Sequence, residues 1–176
     1  MDAEELLQRY AAGQRDFSGF DLEGADLREV ELTRINLRRA NLRAAKLICA
    51  NLRCANLREA DLTDANLKGA DLSGAAMTRA NLRGADLRRA LMWGTGLREA
   101  DLTGANFEGA NLTDTVLIDA QFGVVSLERT ILIGTNLEGV KIPHHPSAKL
   151  NSIYNAFYWY TILPDGSTEV GPRYGF

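Results

Sequence analysis

Carboxylate and carboxamide side chains return at fixed intervals along the middle of this chain: Asp61, Asn66, Asp71, Asn81, Asp86, Asp101, Asn106 and Asn111. They look like a carboxylate array, the kind of clustering that could hold a cation or share a proton. Their regularity points elsewhere, because short Asx side chains set at one repeating position hydrogen-bond the neighbouring backbone. The two histidines, His144 and His145, are adjacent in a proline-bounded stretch. Neighbouring imidazoles do not converge on one metal without further ligands, so an exposed loop is the expectation. Cys49 and Cys54 lack the C-x-x-C spacing of a metal pair, and their separation is expected to exceed disulfide reach, leaving two free thiols in a reducing cytoplasm. No G-x-S-x-G elbow occurs, no histidine is placed as a base, and the glycines do not form a phosphate loop. The expectation is therefore no active site, no metal and no cofactor.

What organises these residues is an internal repeat. A large apolar residue stands at every fifth position from Phe17 to Ile142, 26 in all, including Met77, Met92, Phe107 and Phe122. Two residues before it stands a small one, usually Ala, as from Ala40 to Ala110, with Asp or Asn between the two. Neither the helical period of 3.6 nor the strand period of 2 produces this. Two apolar residues two apart point to one side of a short extended stretch. The other positions must face outward or turn a corner. Gly recurs two places after the large residue (Gly69, Gly74 and Gly84, for example), where a turn needs positive φ. A chain turning every five residues closes into a polygonal coil, and stacked coils give a parallel β-solenoid.

The repeated A-[D/N]-L-x-x unit, as in Ala60-Asp61-Leu62 and Ala65-Asn66-Leu67, resembles the pentapeptide-repeat family. That resemblance implies an all-β solenoid: a right-handed quadrilateral parallel β-helix with four units per coil, here about 6.5 coils over residues 15–142. Larger residues at the small position near both ends (Phe20, Val30 and Ile35; then Thr115, Val125, Thr130, Thr135 and Val140) predict wider or irregular terminal coils.

The two ends read differently. Residues 1–14 predict a helical cap, with Asp2 as N-cap, Glu5 three residues on, Gly13 as stop, and Leu6, Leu7 and Tyr10 on its apolar face. This acidic segment does not read as a signal peptide. Residues 143–176 are rich in aromatics. Leu150, Ile153, Tyr154 and Phe157 keep helical spacing after Ser147, and Pro164-Asp165-Gly166 predicts a hairpin turn. This tail, with Phe157 and Trp159, either folds onto the last coil or joins two copies in a C-terminal homodimer.

Net charge is −3, yet the charges are blocked. Residues 1–27 hold seven acids against Arg9 and Arg15; residues 28–98 hold fourteen Lys or Arg against seven acids; residues 99–142 again hold seven acids against Arg129 and Lys141. With four units per coil, residues 20 apart stack, so Arg38, Arg58 and Arg98 share a column broken by Thr78. Arg39, Glu59, Arg79 and Glu99 form the neighbouring corner column, alternating in sign. The basic belt is either a self-paired solvated face or a docking face for an acidic partner or nucleic acid. A second patch is apolar: Leu91 and Trp93, Ile131 and Ile133 two coils on, and Val116 and Ile118 on the adjoining face. Side chains of this size are normally covered, by the tail or by a second subunit.

These features predict a cytoplasmic, non-catalytic protein-interaction module whose partner is not readable, as a monomer or dimer. No run of residues has the length and apolarity of a membrane span. The family resemblance implies an alternative, a DNA mimic acting on bacterial DNA gyrase through a C-terminal dimer; the basic belt departs from that pattern. Direct nucleic-acid binding is weaker still, since the belt lacks interleaved aromatics. The stretch from Ala11 to Gly19 resembles small cyanobacterial members.

Overall fold

One unit shows why the fold forms. In residues 66–70 every backbone N–H has its own acceptor. Asn66 donates to Ala45 O (2.9 Å) in the coil below, Leu67 to Asp86 O (2.8 Å) and Gly69 to Arg88 O (2.9 Å) in the coil above. Ala70 closes a turn by donating to Leu67 O at 2.9 Å. The remaining N–H, on Lys68, finds the Asn66 side-chain Oδ1 at 3.2 Å. A five-residue stretch thus leaves no donor without a partner, which a structure with so little ordinary sheet requires. The turn is of type II, since positive φ occurs at Gly69 (67°) and not at Lys68.

The computed structural model describes residues 2–123, 125–140, 157–158, 161–169 and 173–174. Parallel bridges join each unit to the one 20 residues on, from Asp16↔Asn36 to Val116↔Asn136. Each coil therefore holds four pentapeptides. The central ladder from Phe17 to Leu137 is buried throughout, with Ala40 to Ala110 packed beside it. Every described corner has positive φ, at glycines and at 14 non-glycine residues such as Arg39 (58°) and Ala44 (52°).

In the upper coils the threonines at the small position keep the parallel register, while at Gly123 a bend replaces the usual turn. Thr95, Thr115, Thr130 and Thr135 are buried in unbroken register. Each hydroxyl donates to a carbonyl 23 residues back, as in Thr115 Oγ1 to Met92 O at 2.8 Å and Thr135 Oγ1 to Leu112 O at 2.7 Å. A hydroxyl that finds such an acceptor is stored in the wall at little cost.

At the base, α1 (Ala3–Ala11) is capped by Asp2, whose Oδ1 accepts from Glu5 N at 2.8 Å. Leu6 enters the core, and Tyr10 donates its hydroxyl to Thr33 O at 2.9 Å. Glu5 pairs with Arg9 rather than returning to the cap.

At the other end the chain makes two nested antiparallel pairs. β1 (Phe157–Tyr158) pairs with β4 (Arg173–Tyr174), and β2 (Thr161–Ile162) with β3 (Thr168–Glu169) around the expected Pro-Asp-Gly turn. Phe157 is therefore in a strand, correcting its helical assignment; the remainder of that proposed helix lies outside the described residues, as do Trp159 and both histidines. Asn136 bridges Ile162 in place of a residue 20 on. Leu137 N donates to Ile162 O (2.9 Å) and Gly139 N to Pro164 O (3.1 Å). On that face the ladder is continued by the chain's own hairpin.

Two substitutions separate the contributions. Leu67→Asp places an unpaired charge in the axis and should abolish the folded circular-dichroism signature. Asn66→Ala removes only the Lys68 acceptor and should lower unfolding free energy by about 1 kcal/mol in a denaturant titration.

Candidate interaction surface

The Asp and Asn array is structural. Fifteen units repeat the Asx turn, from Ser18 N to Asp16 Oδ1 (3.0 Å) to Glu138 N to Asn136 Oδ1 (2.9 Å). Along the same columns the carboxamides reach the coil below, as Asn56 Nδ2 does to Asn36 Oδ1 at 3.0 Å. No cluster of His, Cys, Asp and Glu able to hold a metal occurs among the described residues. Cys49 and Cys54 are free and exposed at successive corners.

The basic belt is largely self-paired. Glu59 lies between Arg38 (2.7 Å) and Arg39 (2.6 Å), and Arg79 meets Glu99 at 2.8 Å. Arg43, Arg53 and Arg83 each reach a carboxylate 18 residues on, at 3.3, 3.1 and 3.1 Å. Among the described residues, nine of the fourteen belt cations make an ion pair. Arg58 donates instead to Asn56 Oδ1 (3.1 Å), and Arg98 stands exposed above the Thr78 gap. The expected arginine column is therefore not a continuous phosphate track.

The bridges put Leu91 and Ile131 on one face, either side of Asn111, and Val116 on the next. Leu91, Trp93 and Ile133 are 48%, 57% and 39% exposed, and Ile131, Val116 and Ile118 are half-buried. The Trp93 indole donates to Asp114 Oδ2 at 3.1 Å, which fixes the ring across the next coil. In three of these units the Asx position holds Leu91, Val116 or Ile131, so the N–H groups of Trp93, Ile118 and Ile133 have lost the usual side-chain acceptor. Arg89 and Arg129 border the patch; comparing units 40 residues apart in the sequence exposes them, since both begin an Arg-x-apolar-x-apolar run. The recess lined by Arg79, Glu99, Asp119 and Gln121 and the one lined by Ser18, Gly19, Arg38 and Arg39 lie open to solvent.

A coil of four pentapeptides, an unbroken leucine axis and charge-paired outer faces define a parallel β-solenoid repeat protein. The chain belongs to the pentapeptide-repeat family: the Pentapeptide repeats description matches in eight copies across residues 14–43, 21–56, 35–74, 55–94 and 95–123. Among curated proteins, none matches the chain significantly in sequence. Among solved structures it is similar to HetL, a pentapeptide repeat protein involved in heterocyst differentiation regulation in the cyanobacterium Nostoc, at 24% identity over 96% of this chain and 100% of that one (TM-score 0.44). It is similar to a pentapeptide repeat protein of the Arabidopsis thaliana thylakoid lumen at 37% identity over 60% and 70% (TM-score 0.48). It also shares its fold with QnrB1, a plasmid-mediated fluoroquinolone resistance protein, at 13% identity over 82% and 77% (TM-score 0.51). No helix among the described residues is long and apolar enough to cross a membrane.

Several surface carboxylates are held below their ordinary range. Glu59 is lowered chiefly by the hydrogen bond from Arg38 and then that from Arg39, Asp86 by Arg88, and Asp16 by the Ser18 N–H. A carboxylate depressed on folding stabilises above its unfolded pKa, and that contribution is lost as pH falls through the folded value. The melting temperature should therefore hold steady from about pH 8 to 5 and fall only below about pH 4. A scan of thermal unfolding against pH checks this.

Proposed function

We propose that this chain is a non-catalytic protein-interaction module. In this reading it is a right-handed rod of about 6.5 coils, closed by α1 at the base and the tail hairpin at the top, and it works in a reducing cytoplasm. The observation that carries the proposal is the forfeited Asx turn. At Leu91, Val116 and Ile131 the repeat gives up a local hydrogen bond and sets an apolar side chain outward, two departures that folding alone does not ask for. All three cluster around Trp93 on two adjoining faces. Exposed, rigidly held aromatic and aliphatic groups are the usual anchors of protein interfaces. The two unbridged cysteines fit the reducing compartment.

A second reading rests on the acids above residue 99, seven against Arg129 and Lys141. Two such blocks joined at the C-terminal end would present a negative centre to the DNA site of a bacterial gyrase. The belt of fourteen cations below interrupts that charge. Gyrase supercoiling followed across a titration of the protein, with light scattering on the same sample, separates the readings. The module reading predicts no inhibition; inhibition by a dimer would replace it with DNA mimicry.

Trp93→Ala combined with Ile133→Ser should leave unfolding free energy within about 1 kcal/mol of the parent, since both side chains are largely exposed. Loss of partner binding without loss of stability is the expected outcome, measured by denaturant titration and affinity in parallel.

A further inference from the structure

Two units of the upper solenoid carry the same order of side chains: Arg89-Ala90-Leu91-Met92-Trp93 and Arg129-Thr130-Ile131-Leu132-Ile133. Bridges Leu91↔Asn111 and Asn111↔Ile131 set them on one face with a single coil between. Two coil spacings put the rows about 9–10 Å apart. The row between, Gly109-Ala110-Asn111-Leu112-Thr113, offers no long outward side chain. The face is therefore a shallow trough with two apolar walls.

Its two ends differ. At one corner Arg89 and Arg129 are exposed, and neither makes an ion pair among the described residues. A Cβ built at Gly109 would lie 3.6 Å from Arg89 Cγ, so the Arg89 stem runs across Gly109 toward the row of Arg129. At the other end the Trp93 indole, held by Asp114, leans over the middle row. The trough has a cationic mouth and an aromatic back.

The geometry points to a docking site for a segment of a partner protein that carries one carboxylate beside alternating apolar side chains. The carboxylate sits between Arg89 and Arg129, where two guanidinium groups supply charge-assisted hydrogen bonds. The apolar side chains lie between Leu91 and Trp93 below and Ile131 and Ile133 above. A polyanion does not suit the site, because Glu108 and Glu128 precede the same corner and the whole upper block is acidic. One local negative charge is accommodated; a phosphate chain is repelled. This assignment rests on the reading that the patch contacts a protein, and it adds the chemistry of what is recognised.

Random dodecapeptides displayed on phage, selected on the full chain, supply the probe. Enriched peptides should place Asp or Glu next to apolar residues. A synthetic copy of an enriched peptide should bind the R89E/R129E double variant about tenfold or more weakly, and should bind R58E as it binds the parent. Replacing its acid by Lys should restore binding to R89E/R129E. A consensus without an acid, or unchanged affinity for R89E/R129E, overturns the carboxylate anchor. If such peptides still lose binding to W93A, the protein-contact reading of the face stands by itself. If no peptide is enriched, or if none responds to either change, both fail. A single-stranded oligonucleotide that binds the parent and not R89E/R129E would overturn the assignment in favour of a polyanion site.

Discussion

The structure depends on a hydrogen-bond constraint: a five-residue unit has five N–H groups, and each must find an acceptor without a long strand to supply it. Three go to adjacent coils, one closes the turn, and the fifth is taken by the Asx side chain two residues earlier, as Asn66 Oδ1 does for Lys68. This explains why Asp and Asn interchange so freely along the repeat, since either offers the needed oxygen. It also gives the periodic row of carboxylates a structural role. The side chains are committed to the backbone.

The turn imposes a second condition. Fourteen non-glycine corners are held at left-handed φ, a conformation costing about 1 kcal/mol or more per L-residue. Ladder bonds on both sides of each corner hold it there. Glycine would relieve that strain, but it would also free the unfolded chain and remove a surface side chain. The corner columns instead carry Arg39, Glu59, Arg79 and Glu99, which pair along the axis. Exposed pairs of this kind add little stability singly. What they do is cancel much of the belt's positive field at short range, whereas Arg89 and Arg129, beside the apolar rows, have no ion pair among the described residues.

Most of the fold was legible because one period governs both the core and the ladder: the leucine axis, the small-residue wall, the positive-φ corners and the Asx role all follow from five. The number of units per coil does not follow from the period; it is visible in bridges between residues 20 apart. At Thr115 and Thr135 the side-chain size was legible, and the carbonyl that accepts each hydroxyl was not. Phe157 misled because its helical spacing is local, while its partner Tyr174 is remote in sequence. The apolar patch was legible as residues, but not its exposure, since whether a tail covers it is a tertiary question. Arg89 and Arg129 were hidden by their resemblance to other arginines; what sets them apart is that each begins one of the two apolar rows on a single face.

Amide hydrogen exchange, resolved residue by residue, tests the hydrogen-bond account most directly. The account predicts slow exchange with a five-residue rhythm, in which Lys68, Arg83 and Thr103 are protected through their Asx acceptors. Trp93, Ile118 and Ile133, preceded by Leu91, Val116 and Ile131, should exchange fastest within their own units. Uniform protection across these positions, or protection lacking the five-residue rhythm, would contradict it.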